Sequence, residues 1–230
     1  QNYKMQTSFN MEKISMPSHI LITGSNGQLG QEFQSLVSNQ AYSDKQFYFT
    51  DRNSLDITNK EALTLFIEKN KIDTIVNCAA FTAVDDAENQ ETLAYKVNAE
   101  AVQYMAELAV EKAIRLIHIS TDYVFDGTSH TPLSEDDITN PQGIYGKSKQ
   151  AGEEAILKAN PKGAMIIRTS WVYSSYGHNF VHTMLRLGKE RKQLNVVCDQ
   201  MGTPTYARDL ARAILTMLDP VSYTHLTLPT

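Results

Sequence analysis

The feature that most constrains this chain is an apolar run entering a glycine turn, Ile20-Leu21-Ile22-Thr23-Gly24-Ser25-Asn26-Gly27-Gln28-Leu29-Gly30. After the turn, Leu29, Phe33, Leu36 and Val37 recur at helical spacing. Strand, glycine turn, helix is the context that a dinucleotide fingerprint requires. Gly24 permits the tight turn, Gly27 admits a pyrophosphate to the backbone, and Gly30 lets helix and strand pack closely. The helix start adds unpaired N–H groups and partial positive charge. The spacing G-x-x-G-x-x-G differs by one residue from the dehydrogenase form. Glycines near a helix start also serve as plain turn and cap residues, so the turn alone implies only an anion at a helix start.

The next segments narrow this. Phe47-Tyr48-Phe49-Thr50 reads as the second strand and ends at Asp51. An acidic residue about twenty positions beyond the fingerprint suits a bond to the adenine ribose 2′-hydroxyl. Arg52 follows and could pair with a 2′-phosphate instead, so NAD and NADP both stay open. Asp56-Ile57-Thr58-Asn59-Lys60-Glu61 contains a T-x-x-E capping box ahead of a helix through Ala62, Leu63, Leu65, Phe66 and Ile67. Ile72–Cys78 reads as the third strand, closed by Ala79-Ala80-Phe81-Thr82, whose small residues leave room for a flat ligand. Asp85, Asp86 and Glu88 read as helix-dipole partners.

Composition sets outer bounds. The chain has 230 residues, 42% of them hydrophobic, with net charge −5. That suits one large α/β domain or a domain plus a small lobe. No basic stripe points to nucleic acid, and no apolar run has membrane-spanning length. The two cysteines, Cys78 and Cys198, read as buried reduced thiols of a cytoplasmic protein. Residues 1–16 lack an apolar signal region and read as a disordered tail, with Met11 and Met16 as alternative starts.

Further along, Ala94, Val97, Ala101, Val102, Met105, Leu108 and Ala109 form a helical core stripe. Ile114–Ser120 reads as the fourth strand, with His118 as a structural histidine. The polar run 121–144 is long enough to be functional. Tyr145 and Lys149 share one helix face. An ammonium near a phenol favours the phenolate, and the pair can exchange a proton with an alcohol or ketone. Ser120 or Thr121 would hold the same oxygen. Ala164–Thr169 is a fifth strand. Phe180, Met184, Leu185 and Leu187 suggest a helix, Leu194–Cys198 a short strand, and Tyr206–Leu218 a helix with Leu210, Ala213, Ile214 and Met217 inward. Alternating strands and helices predict an α/β, Rossmann-like, doubly wound parallel sheet.

The blocks Ser120-Thr121-Asp122-Tyr123-Val124-Phe125-Asp126-Gly127, Tyr145-Gly146-Lys147-Ser148-Lys149 with Gly152-Glu153, Arg168-Thr169-Ser170-Trp171-Val172-Tyr173 and Asp199-Gln200-Met201-Gly202-Thr203-Pro204-Thr205 stand in one order. Together with the glycine turn they resemble the extended short-chain dehydrogenase/reductases, and more narrowly the dTDP-4-dehydrorhamnose reductase family. The resemblance runs from about Ile20 to about Leu218. It implies that NADPH or NADH reduces C4 of dTDP-4-dehydro-β-L-rhamnose to give dTDP-L-rhamnose for cell-envelope polysaccharide. By the same resemblance, Tyr145 is the proton donor, Lys149 lowers its pKa and binds the nicotinamide ribose, and Thr121 binds the keto oxygen. Gly24, Gly27, Gln28, Leu29 and Gly30 line the pyrophosphate. Asp51, Arg52, Asp56, Ile57, Ala80, Phe81 and Thr82 line the rest of the cofactor. Asp122 and Trp171 contact the nucleotide sugar, with Asn179 and Phe180 at its dTDP part. The only tryptophan, just past strand five, also suits a site wall on its own chemistry.

The expected organisation is a disordered tail over 1–16, a cofactor domain over 17–170, a partial substrate lobe over 171–220, and a tail over 221–230 outside the family pattern. That last segment has no helical or strand period and resembles translated adapter sequence. The chain therefore reads as truncated, with no metal residues to carry over and a homodimer implied only for the full-length protein. Two other readings stand beside this one. One is a reductase or epimerase for another nucleotide sugar. The other is a non-catalytic NADP-binding regulatory subunit, similar to the β subunit of methionine adenosyltransferase.

Overall fold

The computed structural model describes residues 18–38, 42–196 and 202–218. The two expected tails, Cys198 and the Asp199-Gln200-Met201 part of one block lie outside them. Strands β1 (His19–Thr23), β2 (Gln46–Thr50), β3 (Thr74–Asn77), β4 (Arg115–Thr121) and β5 (Met165–Thr169) form one parallel sheet in the order β2-β1-β3-β4-β5. Parallel strands are covered on both faces, so their residues are apolar in succession rather than alternately. Ile20, Leu21 and Ile22 show this: all three are buried, yet they serve opposite faces.

On one face Leu21, Ile75 and Leu116 meet α2 (Lys60–Asn70), α5 (Ala101–Glu111) and α6 (Ile144–Ala159) through Leu63, Ile67, Met105 and Ile156. On the other, Ile20, Ile22, Val76 and Ile117 meet α1 (Gln28–Val37) and α8 (Ala207–Leu218) through Phe33, Leu36, Leu210 and Ile214. Two short helices, α3 (Val84–Asn89) and α4 (Glu91–Tyr95), lead through a π-helical turn, Lys96–Glu100, into α5. The expected stripe from Ala94 to Ala109 is core, but that wider turn interrupts it. A second, two-stranded sheet pairs β6 (Val172–Tyr173) with β7 (Thr205–Tyr206). Helix α7 (Phe180–Glu190) lies between them in sequence and has no buried residue.

Several local expectations need correction. The cap of α2 is Asn59, whose side chain accepts from Ala62 N at 3.0 Å. Thr58, expected as the cap, instead turns its hydroxyl to Asp56 Oδ1 at 2.7 Å. No strand forms over Leu194–Val196, and the remainder of that expected strand is outside the described residues. The inward stripe of α8 is Ala207, Leu210, Ala211, Ile214, Leu215 and Leu218, while Ala213 and Met217 are only half-buried. This helix closes the α1 side of the main sheet, although the sequence reading assigned it to the lobe.

Candidate active site

The chain reverses its direction across the sheet between β1 and β3. Ligands of doubly wound sheets sit outside the strand carboxyl ends at such a switch point. The glycine turn leaves β1 there. Gly24 has φ +67°, and a Cβ on it would lie 2.7 Å from Ala79 N. Only glycine lets the turn press against the end of β3. Gly30 is as tight, since a Cβ there would come within 2.5 Å of Gly24 O. Gly27 is the extended N-cap of α1 and supplies no side-chain cap. The first amides of α1, at Gln28, Leu29 and Gly30, therefore have no intrahelical partner and face the switch point as an anion site. Leu29 can contribute only its backbone, because its side chain is buried in the core. Gln28 ties the turn to the segment after β5: its amide donates to Val172 O at 3.3 Å and accepts from Asn179 Nδ2 at 3.0 Å.

Asp51 ends β2 beside this turn. One carboxylate oxygen accepts from Asn26 Nδ2 at 2.7 Å, and the other from Ser54 Oγ at 2.8 Å and Ser54 N at 2.9 Å. The Ser54 bonds lead in holding its carboxyl below the usual range. Arg52 is exposed. Asp56 is likewise held low, first by the Thr58 hydroxyl. Ile57, expected at the cofactor, is buried in the first core cluster. Beyond β3, Ala80 and Phe81 are half-buried and Thr82 exposed. Phe81 is clamped by Asn98, which accepts from its N–H at 2.8 Å and donates to its carbonyl at 3.1 Å. Cys78 is partly exposed as a residue, but the burial of its thiol pushes that group up to about 12. It is a thiol at neutral pH.

The second centre lies at the end of β4. Thr121 Oγ1 donates to Asp122 Oδ1 at 3.1 Å and accepts from Tyr123 N at 3.2 Å. Helix α6 lies hard against this turn at Gly146, where a Cβ would fall 2.2 Å from Tyr123 O. That approach stacks Tyr145 edge-on against Tyr123, with ring centroids 5.5 Å apart. Burial pushes the Tyr145 phenol up; the neighbouring Thr121 hydroxyl opposes this, while Asp122 and Tyr123 add to it. The expectation that Lys149 lowers this pKa is not met. Lys149 is buried and turned to the strand, its Nζ 2.7 Å from Ile119 O and 3.2 Å from His118 Nε2. Desolvation brings the Lys149 ammonium down to about 8, against the favourable charge of Glu153. Asp122 is raised by burial.

Trp171 stands half-exposed after β5 with φ +48° and meets Phe180 edge-on at 5.6 Å. A left-handed tryptophan is strained, a feature that gathers at ligand sites. Phe180 is exposed. Asn179, expected at the substrate, spends its amide on structure: its oxygen caps α7 at His182 N, and its nitrogen donates to Gln28 and to Ser174 O.

Residues to which the sequence reading gave no part in the site also build it. Asn98, on the π turn, joins Phe81 to Ser148 of α6 at 3.0 Å. Glu88 accepts from Ile144 N at 2.8 Å and so caps α6. Buried Glu153 takes the guanidinium of Arg168 in a fork, the closest contact 2.7 Å. Fully buried Glu32 accepts from Ser174 Oγ at 2.6 Å and Arg208 Nη1 at 3.2 Å. A carboxylate flanked by apolar helix positions was the only trace of Glu32, and Glu153 stood in a family block with no role attached. Glu88 was read only as a helix-dipole partner, and Asn98 had no trace.

Against known proteins, the profile described as the RmlD substrate binding domain matches residues 18–226. The chain belongs to this family. Among relatives of this RmlD chain, the dTDP-4-dehydrorhamnose reductase of Aggregatibacter actinomycetemcomitans is 44% identical over 205 residues, 89% of this chain and 68% of the relative. The dTDP-4-keto-6-deoxy-D-glucose reductase of Streptomyces niveus is 39% identical over 203 residues, covering 88% and 69%. A solved dTDP-4-dehydrorhamnose reductase from Bacillus anthracis, in complex with NADP, is 40% identical with TM-score 0.83, covering 88% of this chain and 71% of that one. The matched region thus spans about two thirds of its relatives' length. Among the described residues no helix is long and apolar enough to cross a membrane, and no group of three or more His, Cys, Asp or Glu could hold a metal ion.

Proposed function

We propose that this chain carries the catalytic centre of an NAD(P)H-dependent oxidoreductase that reduces the C4 keto group of dTDP-4-dehydro-β-L-rhamnose to dTDP-L-rhamnose, acting in the cytoplasm. The observation that carries the reading is that the end of β4 holds Thr121 beside Tyr145 and, at Ile119 O, the Lys149 ammonium, on the same edge of the sheet as the uncapped glycine turn.

The residues present fit a dinucleotide: a turn that no Cβ would allow, bare helix amides, and a carboxylate at the end of β2. Bound nicotinamide supplies the hydride. The remaining work falls to the chain. The α1 amides hold the pyrophosphate, Asp51 with Arg52 the adenosine end, and Ala80-Phe81-Thr82, clamped by Asn98, one wall. Thr121 orients the substrate carbonyl through its hydroxyl. Tyr145, pushed up by burial, keeps its proton at neutral pH and gives it to the alkoxide oxygen as the carbonyl is reduced. Lys149 holds the nicotinamide ribose, its Nζ fixed by Ile119 O. Trp171 and Phe180 wall the sugar nucleotide, with Asp122 beneath, and Asn179 positions that wall from its place on Gln28. The cofactor unit comprises residues up to 170 together with α8, and residues 171–196 and 202–206 belong to the substrate lobe.

The test is loss of reduced-nicotinamide absorbance when purified protein meets NADPH, or NADH, with dTDP-4-dehydro-β-L-rhamnose. The 6-deoxyglucose 4-ketone named for the Streptomyces relative is run in parallel. Turnover of the rhamnose precursor is expected. Faster turnover of the other ketone would move the substrate assignment. Cofactor binding without turnover of either would favour a non-catalytic subunit.

A further inference from the structure

A buried chain of polar side chains runs under the site from one strand to the next. Thr23, the last residue of β1 before the glycine turn, donates its hydroxyl to Asn77 Oδ1 at 2.6 Å. Ala79 N donates to the same oxygen at 3.2 Å and lies 3.3 Å from Thr23 Oγ1. Asn77 Nδ2 is 3.0 Å from His118 Nδ1, and His118 Nε2 is 3.2 Å from Lys149 Nζ. Thr23, Asn77, His118 and Lys149 are all nearly or fully buried. The first two links each cross one step of the sheet, because Thr23 and Asn77, then Asn77 and His118, are register partners, and the third passes from β4 to Lys149 on α6.

Donor and acceptor counting makes this chain a switch. With two donors on Asn77 Oδ1, the amide turns its NH₂ to His118, so Nδ1 must accept. Burial keeps the ring neutral, so its single proton is then on Nε2, facing Lys149. An N–H can be accepted by a neutral amine but not by an ammonium. A charged Lys149 requires the reverse: a lone pair on Nε2, the proton on Nδ1, and the Asn77 amide rotated so that Oδ1 receives it. Thr23 Oγ1 then takes Ala79 N–H and the amide NH₂. Net, deprotonation moves the Lys149 proton to Nε2 and releases the Nδ1 proton to solvent.

We propose that Asn77 and His118 are positioning residues that set the protonation state of Lys149 through this coupled amide rotation and tautomer exchange. The inference deepens the reductase reading and rests on it for its catalytic meaning, but the switch itself needs no turnover. Other groups facing Lys149 are Glu153 one turn along α6 and Cys78 after β3. Glu153 is engaged by Arg168, and Cys78 stays a thiol at neutral pH. Neither can report a tautomer.

Nitrogen-15 spectra of the histidine rings, with His118 assigned through backbone correlations, test this directly, alongside the Lys149 Nζ signal. Over roughly pH 6 to 10, His118 should pass from the Nδ1–H to the Nε2–H tautomer as Lys149 loses its proton near 8, with no imidazolium. A single tautomer throughout the Lys149 titration, or a charged ring, overturns the proposal. Two variants must move the Lys149 midpoint in opposite directions. Asn77→Asp offers only acceptors, locks Nδ1–H and raises it. Thr23→Val, of the same shape, leaves Ala79 N–H only Asn77 Oδ1, locks Nε2–H and lowers it. The Thr23→Val shift should be about one pH unit, that of one ordinary buried hydrogen bond, and the Asn77→Asp shift larger, because it also brings a carboxylate charge. Shifts of the same sign, or none, refute the coupling, and Thr23→Val decides alone if Asn77→Asp does not fold. If the tautomer exchange is seen without ketone reduction, the reductase reading fails and the switch stands.

Discussion

At the scale of single residues, the proton donor and its neighbour are tuned apart by burial. Tyr145 is pushed up and Lys149 down, so near neutral pH the first is a protonated phenol and the second keeps most of its charge. Tyr145→Phe removes the transferable proton while preserving shape. Turnover should fall by about 10²–10⁴-fold, with NADPH affinity, read by fluorescence, unchanged. Survival of turnover would reassign the donor. The pH dependence follows from Lys149. Its ammonium is present below about 8 and lost above, so kcat should decline as pH rises through that value. The same depression affects stability. Between about 8 and the ordinary 10.5 the unfolded chain binds more protons than the folded one, so this group's contribution is complete above that window and lost as pH falls through it. Denaturant midpoints from pH 7.5 to 10, compared with Lys149→Met, check the sign: the variant should lack this rise.

At the scale of elements, the errors in the sequence reading share one cause. A capping box at Thr58 and a cap at Asn59 are both acceptable local chemistry, and the turn at Asp56 decides by drawing the Thr58 hydroxyl away. In α8 the expected Leu210 and Ile214 are buried, but Ala211 and Leu215 complete the stripe in place of Ala213 and Met217. The π turn before α5 has no sequence signature, yet it points Asn98 at Phe81 and Ser148. Helix α1 is joined to α8 by charge as well as packing, and to Ser174 by a hydrogen bond. Glu32→Ala leaves Arg208 and Ser174 without their buried acceptor and should lower stability by about 1–3 kcal/mol, a range reduced for the part-exposed arginine. A denaturant midpoint reads this. Unchanged stability with weakened NADPH binding would assign Glu32 to the cofactor site instead.

At the scale of the molecule, two cores flank one sheet, and the second is closed by helices from opposite ends of the described chain, α1 and α8. The site depends on that closure, because α1 also carries the bare amides. Ile214→Ala, at a fully buried position of α8, should cost about 2–5 kcal/mol. Cofactor binding should be lost with folding at the same denaturant concentration; separate transitions would show that α8 is not part of the cofactor unit. The glycine turn, Asp51 and the Tyr145–Lys149 pair were legible in the sequence, because turn, strand end and helix spacing are short-range properties of a chain. So was the parallel sheet, through its apolar runs. The direction of the Tyr145 shift, the allocation of Asn179 to a cap and of Ile57 to a core, and the path from Thr23 through Asn77 and His118 to Lys149 were not legible. Each depends on which groups share a buried space after strands distant in sequence are paired, and burial sets both the charge a group can hold and the hydrogen bonds it must make.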